Sequence, residues 1–223
     1  MEELKEFFPF WDKLSPQWQE KLATGASRHT YTKGTLIHRG RQDCIGLLLI
    51  LKGQARAYII TDEGRELTLF RLFERDICLF TASCVFNSFQ FDIFISAQQD
   101  TQALHIPPDL FRKCMEECAP AAMYANELMA SNFSEVMWVL DQILSKKLDA
   151  RLAAFLLEES GLQGTTSLAM THEQIANHLG SAREVITRML KYFQSEGLVH
   201  LSRGHVTLTD IHKLEDMAEG SVR

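Results

Sequence analysis

Hydrophobic and polar positions change their spacing along the chain, and this change separates an N-terminal helical segment from a region of strands. Residues 1–27 have helical spacing, with Ser15 as a predicted N-cap, Pro16 in the first turn and Gly25 as a stop. From residue 34 to about residue 107 the chain has short β runs between turn residues. The predicted strands cover residues 35–38, 44–51, 54–60, 66–72, 92–97 and 101–106. Short strands at this spacing predict an antiparallel β-roll or jelly roll around one interior.

A long helix is predicted after the strands. Residues 109–118 predict a short helix after Pro107 and Pro108, and Pro120 opens the longer one. Apolar residues recur along this helix at alternating spacings of four and three, which is the heptad pattern of the seam where two helices pack together. The predicted dimer-helix residues are Met129, Phe133, Val136, Leu140 and Ile143, and a second stripe contains Met123, Ala130, Met137 and Leu144. One face is expected to meet a partner helix and the other to cover the β-roll; the alternative is a helix wholly inside one domain.

Residues 172–191 have the spacing of a helix-turn-helix, with a small residue at the fifth position, Ala176, and a glycine at the ninth, Gly180. Capping boxes are predicted before both helices, at residues 171–174 and 181–184. Ser145 is the predicted N-cap of the preceding helix, and residues 161–167 predict a turn or short hairpin. Downstream, the runs 197–201 and 205–208 predict a wing, and Thr209 and Asp210 cap a final helix.

The second helix of this motif has a polar face that suits base recognition. Arg183, Glu184, Thr187 and Arg188 share one side of it. Arginine pairs with guanine O6 and N7, and glutamate accepts from cytosine N4, so these residue types can recognise base edges. The predicted DNA-binding set is completed by Ser181, Thr171, Lys191 and Arg203. The alternative is an intrahelical ion pair between Glu184 and Arg188, which are four residues apart.

Composition narrows the class of protein. The 223 residues have a net charge of −6, and the acidic excess lies mainly before Ser145, so any DNA binding belongs to the last third. The longest apolar run, residues 45–51, is far shorter than a membrane span, and the N-terminus is too charged for a signal peptide. Five cysteines without a CxxC pair argue against a disulfide framework and a zinc ribbon. We therefore expect a cytoplasmic protein with reduced thiols, no membrane contact and no metal site.

Neither of two rival functions has a motif of its own. The chain has no glycine-rich phosphate loop, GxSxG or HExxH, so we expect it not to be an enzyme. The other rival is a β-roll module that binds a small molecule or a partner protein, with little direct regulation of DNA. The net negative charge of the chain is compatible with that alternative.

The order of these parts, with the run from Thr171 to Arg188, resembles the CRP/FNR family of bacterial transcription regulators over nearly the whole chain. Arg183, Glu184 and Arg188 match the base-contacting set of the CRP branch, and Glu184, Thr187 and Arg188 are similar to that of the FNR branch, with threonine for serine. The resemblance implies an α+β protein of three domains: an effector-sensing β-roll with its N-terminal helix (residues 1–118), a dimerisation helix and hinge (119–147) and a winged helix-turn-helix (148–223). It also implies a homodimer on a palindromic operator with a TGA half-site core, and RNA polymerase as a partner if the protein is an activator.

The effector signatures of that family are missing. Its cyclic-nucleotide cassette has a Gly-Glu-Leu run and an Arg-Ser pair around the cyclic phosphate, whereas residues 76–84 and 87–92 here have no glycine and no arginine. Cyclic AMP is therefore not expected, nor is an FNR-type iron–sulfur cluster, because no cysteine precedes Cys44. The expected effector pocket contains Phe80, Thr81, Phe91, Val136 and Met137.

Other signals stay open at the level of sequence. Cys78 and Cys84 flank the cassette region, either as redox thiols or, in the preferred interpretation, as small buried hydrophobic residues. Haem held by His38 and a thiol is a third option. Several phenylalanines in the same region make a hydrophobic or aromatic small molecule as good a candidate as a charged one.

Overall fold

A computed structural model describes residues 2–40, 44–82 and 92–219, which form two compact units: Met1–Ile60 with Leu69–Val136, and Thr61–Thr68 with Met137–Arg223. The helices are α1 (Glu2–Phe7), α2 (Pro16–Gly25), α3 (Pro108–Glu117), α4 (Ala119–Ser145), α5 (Leu148–Gln163), α6 (His172–Leu179), α7 (Arg183–Ser195) and α8 (Ile211–Met217). The strands are β1 (Ser27–Tyr31), β2 (Leu36–Arg39), β3 (Leu47–Lys52), β4 (Ala55–Ile60), β5 (Glu66–Leu72), β6 (Ile77–Cys78), β7 (Phe94–Ala97), β8 (Thr101–Ile106), β9 (Ser167–Leu168), β10 (Val199–Ser202) and β11 (His205–Leu208). None of the described helices is long and apolar enough to cross a membrane.

Two four-stranded sheets build the β-roll of the first unit, in the orders β1-β8-β3-β6 and β2-β7-β4-β5. Antiparallel pairing joins β8 to β1 and β3, and β7 to β2 and β4. Alternate residues of the strands fill the interior, among them Leu48, Ile50, Ala57 and Ile95, all fully buried. The predicted antiparallel β-roll is confirmed.

A second core of this unit forms on the outer face of the β1-β8-β3-β6 sheet. Leu47 and Leu104 of the sheet pack there with Leu22 of α2, Phe111 of α3 and Ala125 of α4. The start of α2 is the predicted one, because Ser15 accepts a hydrogen bond from the Trp18 backbone N–H (3.4 Å) and Pro16 occupies the first turn.

Helices α5 to α8 and the β10-β11-β9 sheet share one core in the second unit. Ile175, Leu179 and Ile186 are buried in it, as the helix-turn-helix spacing predicts, together with Leu190 and Phe193 of α7. The amphipathic pattern of the motif therefore holds α6 and α7 together through one apolar face of each helix.

Two helix boundaries differ from the predictions. Ser145 is the last residue of α4 rather than the N-cap of α5, because the helical backbone continues past it, with Lys146 N–H donating to the Gln142 carbonyl (3.1 Å). Lys147 is the N-cap of α5 and has no side-chain cap. The turn predicted over residues 161–167 begins later than expected, because α5 continues to Gln163 and the turn starts at Gly164, whose φ of 62° is in the region that favours glycine.

Cys44 is disulfide-bonded, so the prediction that all five thiols are reduced is wrong there. Sequence spacing could not reveal this, because a disulfide depends on the distance between two Cβ atoms in the folded chain. Cys78, Cys114 and Cys118 are free thiols, and Cys84 and Phe91 lie outside the described residues.

His105 on β8 couples the stability of the first unit to pH. Its ring stacks on that of His29 (4.2 Å between centroids), its Nε2 lies 2.9 Å from the Tyr31 hydroxyl, and burial together with His29 lowers its pKa from 6.5 to about 4. Below about pH 6.5 the His105 side chain is therefore protonated in the unfolded chain, whereas in the folded chain it stays neutral down to about pH 4. Acid favours unfolding across that window.

Lowering the pH from about 7 to about 4.5 is expected to reduce the free energy of unfolding of both proteins. The reduction should be about 2–3 kcal/mol smaller in His105→Gln than in the wild type, because glutamine does not titrate. Urea denaturation followed by tryptophan fluorescence at the two pH values measures the difference. Equal losses in the two proteins would contradict a neutral buried imidazole.

Candidate nucleic-acid interface and effector region

Hydrogen bonds fix both ends of α6, including the end that leads into the turn before α7. The predicted capping box is confirmed: Thr171 N–H donates to Gln174 Oε1 (2.8 Å), and Gln174 N–H donates to Thr171 Oγ1 (3.2 Å). At the other end Gly180 has a φ of 65°, and the Arg151 guanidinium donates to the Leu179 carbonyl (2.7 Å). The position of α7 relative to α6 is therefore closely defined.

The second predicted capping box is wrong. Helix α7 begins at Arg183, one residue later than the pattern suggests, and its N-cap is Ala182, which has no side-chain acceptor. Ser181 lies outside the helix and its N–H donates to the Ala176 carbonyl (3.0 Å), so it closes the turn instead. The free N–H groups at the start of α7 are thus left without a side-chain cap from Ser181 or Ala182.

Helix α7 turns one apolar face to the core and one polar face to the surface. Arg183, Glu184 and Arg188 are exposed, as is Lys191 one turn further along. Arg183 Nε lies 3.8 Å from Glu173 Oε2 on α6. In the part of the chain that the structure describes, no ion pair joins Glu184 to Arg188, so the alternative of an intrahelical pair is not supported.

Thr187 lies between these residues and is half-buried, because its hydroxyl contacts another side chain. Its Oγ1 lies 2.9 Å from Nδ1 of His172, the first residue of α6. Burial lowers the pKa of His172 from its ordinary 6.5, and the charges of Arg183 and Lys191 lower it further. This contact was not predicted from the sequence, although a helix-turn-helix brings the first turn of one helix beside the second turn of the next.

The wing has the predicted form. Strands β10 and β11 pair from Val199 with Leu208 to Ser202 with His205, and Arg203 is exposed in the turn between them, beside Gly204 with a φ of 74°. Asp210 caps α8 by accepting from the Lys213 N–H (3.1 Å), as predicted. The wing and the start of α6 each present polar groups suited to phosphate contacts.

Helix α4 exposes most of its predicted seam. Phe133, Leu140 and Ile143 are 65%, 43% and 38% exposed, and Met123, Met137 and Leu144 of the second stripe are exposed as well. Met129 and Val136 are exceptions, since they pack against the two cores of the first unit. These two residues therefore lie on the packing side of α4 in the single chain, and their place in the seam stays a prediction. An interface stripe and a packing stripe share the same helical period, and sequence alone does not place the border between them.

Two residues of the expected effector region, Phe80 and Thr81, are buried in the described part of the roll. Phe80 packs against Phe70 (5.6 Å between ring centroids), and Val136 packs on the same core. The buried Thr81 hydroxyl hydrogen-bonds to the carbonyl oxygens of Gly46 (2.6 Å) and Cys78 (3.0 Å). Met137, in contrast, is exposed.

Cys78 is fully buried, and burial raises the pKa of its thiol to about 11. Burial and the raised thiol pKa both disfavour the thiolate that redox chemistry uses. These observations favour the preferred interpretation of Cys78 as a small buried hydrophobic residue over that of a redox thiol. His38, the proposed haem ligand, is also buried.

A β-roll domain, a long helix and a winged helix-turn-helix with an exposed basic face define a class of DNA-binding transcription regulators. Family models agree: a cyclic nucleotide-binding domain matches residues 28–118 and a Crp-like helix-turn-helix domain matches residues 150–217. The crystal structure of a CRP/FNR-family regulator from Eubacterium rectale is 51% identical, with a TM-score of 0.93 over 96% of this chain and 99% of that one. The chain belongs to the CRP/FNR family of transcription regulators.

Two curated relatives are more distant. Transcriptional regulator SdrP of Thermus thermophilus is 26% identical over 76% of this chain and 82% of its own length. The cAMP-activated global transcriptional regulator Vfr of Pseudomonas aeruginosa is 24% identical over 82% of this chain and 89% of its own length.

Proposed function

We propose that this regulator acts as a homodimer that binds a palindromic operator in a sequence-specific manner, with α7 in the major groove. The observation that carries the proposal is the division of α7 into a fully buried apolar face, with Ile186 and Leu190, and an exposed face with Arg183, Glu184 and Arg188. Such a helix can enter the groove without disturbing the core that holds it.

The chemistry of the exposed face supports a half-site containing guanine and cytosine contacts. Arginine at positions 183 and 188 suits guanine O6 and N7, and Glu184 suits cytosine N4. The family resemblance adds a TGA core. Thr171, Ser181, Lys191 and Arg203 are assigned to phosphate contacts, which set register and orientation.

The homodimer part of the proposal rests on α4. Large apolar side chains on a solvated helix are costly when they form a continuous stripe, and a second copy of α4 would cover Phe133, Leu140 and Ile143. Two copies also match the two-fold symmetry of a palindrome, because each α7 then meets one half-site.

Control by an effector other than cyclic AMP completes the proposal. The P. aeruginosa relative is cAMP-activated, whereas the cassette region here lacks the glycine and arginine that hold a cyclic phosphate, and the Thr81 hydroxyl is bonded to backbone carbonyls. We assign a signal of another kind to the roll, with α4 as the relay, RNA polymerase as a partner if the protein activates, and a cytoplasmic location. Saturable heat in a calorimetric titration with cyclic AMP would contradict this part.

Equilibrium binding to short duplexes tests the proposal. At about 100 mM salt we expect nanomolar affinity for the cognate palindrome and at least a thousandfold weaker binding to a scrambled duplex. Equal, weak binding to both would favour the rival function, a β-roll module with little direct regulation of DNA.

A further inference from the structure

His172 is placed to control what Thr187 offers to DNA. The imidazole Nδ1 and the threonine Oγ1 are 2.9 Å apart, they come from the two helices of the motif, and both residues are half-buried. Thr187 is flanked on the exposed face of α7 by Glu184 and Arg188. Any group that fixes its hydroxyl proton therefore acts within the proposed base-contacting surface.

A threonine hydroxyl has one proton and two lone pairs, so its partner decides which of them faces outward. When Nδ1 is unprotonated, it accepts the hydroxyl proton, and Thr187 presents only lone pairs and a methyl group. When Nδ1 carries a proton, it donates to the hydroxyl oxygen, and the hydroxyl proton is free to donate to a base. These two states suit different bases: an acceptor suits adenine N6 or cytosine N4, and a donor suits guanine O6 or thymine O4.

We infer that His172 is a positioning residue for base recognition, which orients the Thr187 hydroxyl and changes the preferred base at one operator position when the imidazole becomes protonated. The inference rests on the proposed DNA binding by α7. It adds a residue of α6 to the determinants of specificity, although that residue need not touch a base itself.

The charges around His172 set the direction of the switch. Arg183 and Lys191 of α7 oppose protonation, as does the N-terminal end of α6 itself, and Glu173 on α6 is paired with Arg183. Their combined effect with burial keeps the imidazole neutral at neutral pH. In the Nε2–H tautomer of the neutral ring, Nδ1 accepts the Thr187 proton and the hydroxyl offers only acceptors to DNA. We assign this tautomer to the neutral state; the doubly protonated ring that forms in acid donates from Nδ1 and frees the hydroxyl proton.

The experiment measures base preference rather than total affinity. Full-length protein binds a palindromic operator in competition with a set of duplexes that carry each base at each half-site position, at pH values stepped from about 8 down to about 5. We expect the preference at one position to move about fivefold towards guanine or thymine at the lower pH, the effect of roughly one hydrogen bond. Thr187→Val is expected to remove both the preference and its pH dependence at that position alone.

Two variants of His172 separate positioning from structure. His172→Phe keeps a ring without nitrogen, so we expect it to lose the preference at the Thr187 position and the pH response. His172→Asn keeps an acceptor near Nδ1 but cannot titrate, so we expect it to retain the preference without the pH response. Melting temperatures confirm that each variant is folded.

Three outcomes would overturn the inference. The first is a wild-type preference that does not change with pH, the second is a His172→Phe effect at a different position from that of Thr187→Val, and the third is a His172→Asn protein that still responds to pH. Binding with no sequence preference would overturn the proposed function together with the inference. Specific binding to a palindrome without these shifts would overturn the inference alone.

Discussion

A chain with Phe133→Asp and Leu140→Asp is expected to sediment as a monomer at micromolar concentration and to bind a full palindrome about 100-fold more weakly than the wild type. Both side chains are exposed on α4, at 65% and 43%, so neither replacement removes a core contact of the single chain. In a dimer the two carboxylates would be buried against the partner helix without a counter-charge, which costs several kcal/mol. Loss of the dimer then removes the second half-site contact.

The matched control is the double variant Ser131→Asp and Ser134→Asp. Both serines are exposed on α4, and helical geometry places them about 100° or more from Phe133. This variant adds the same charge and is expected to remain dimeric with unchanged operator affinity. A dimeric Phe133/Leu140 variant, by analytical ultracentrifugation, would show that the exposed stripe is not the interface.

Arg188→Ala is expected to weaken binding to the cognate operator about 10- to 100-fold while binding to a nonspecific duplex changes little, because a bidentate arginine–guanine contact contributes about 1–3 kcal/mol of discrimination. Arg188 is exposed and has no ion-pair partner in the described part of the chain, so its removal leaves no buried charge. The measurement is a titration of both duplexes with each protein at one salt concentration.

Lys191→Ala is the contrast for that experiment. It lies one turn beyond Arg188 and is assigned to a phosphate, so we expect an equal loss on both duplexes and a smaller dependence of affinity on salt. If Arg188→Ala also weakened both duplexes equally, Arg188 would be a phosphate contact and its assignment to a base would be wrong.

Sequence predicted those parts of the fold in which one local signal decides the outcome. Strands β5 and β8 span the predicted residues, and the Thr171 capping box forms because its two hydrogen bonds are local to four residues. Strand β1 was missed because Ser27–Tyr31 is polar and occupies the edge of its sheet, where the alternation that marks a half-buried strand is absent.

Other features depend on geometry that no local pattern contains. Ser181 has the residue type of an N-cap, yet the turn places the cap at Ala182. Val136 has the heptad position of a seam residue, yet it packs, partly buried, against the core of the roll. The contact between His172 and Thr187 joins residues that are fifteen positions apart in the sequence, so it depends on how the two helices pack together.

The direct test of the central claim is a binding selection from a random duplex library with the full-length protein at about 100 mM salt. The account predicts enrichment of one inverted repeat whose half-sites lie about one helical turn apart, centre to centre, and contain guanine and cytosine at the positions assigned to Arg183, Glu184 and Arg188. A library that emerges without an inverted repeat would contradict it.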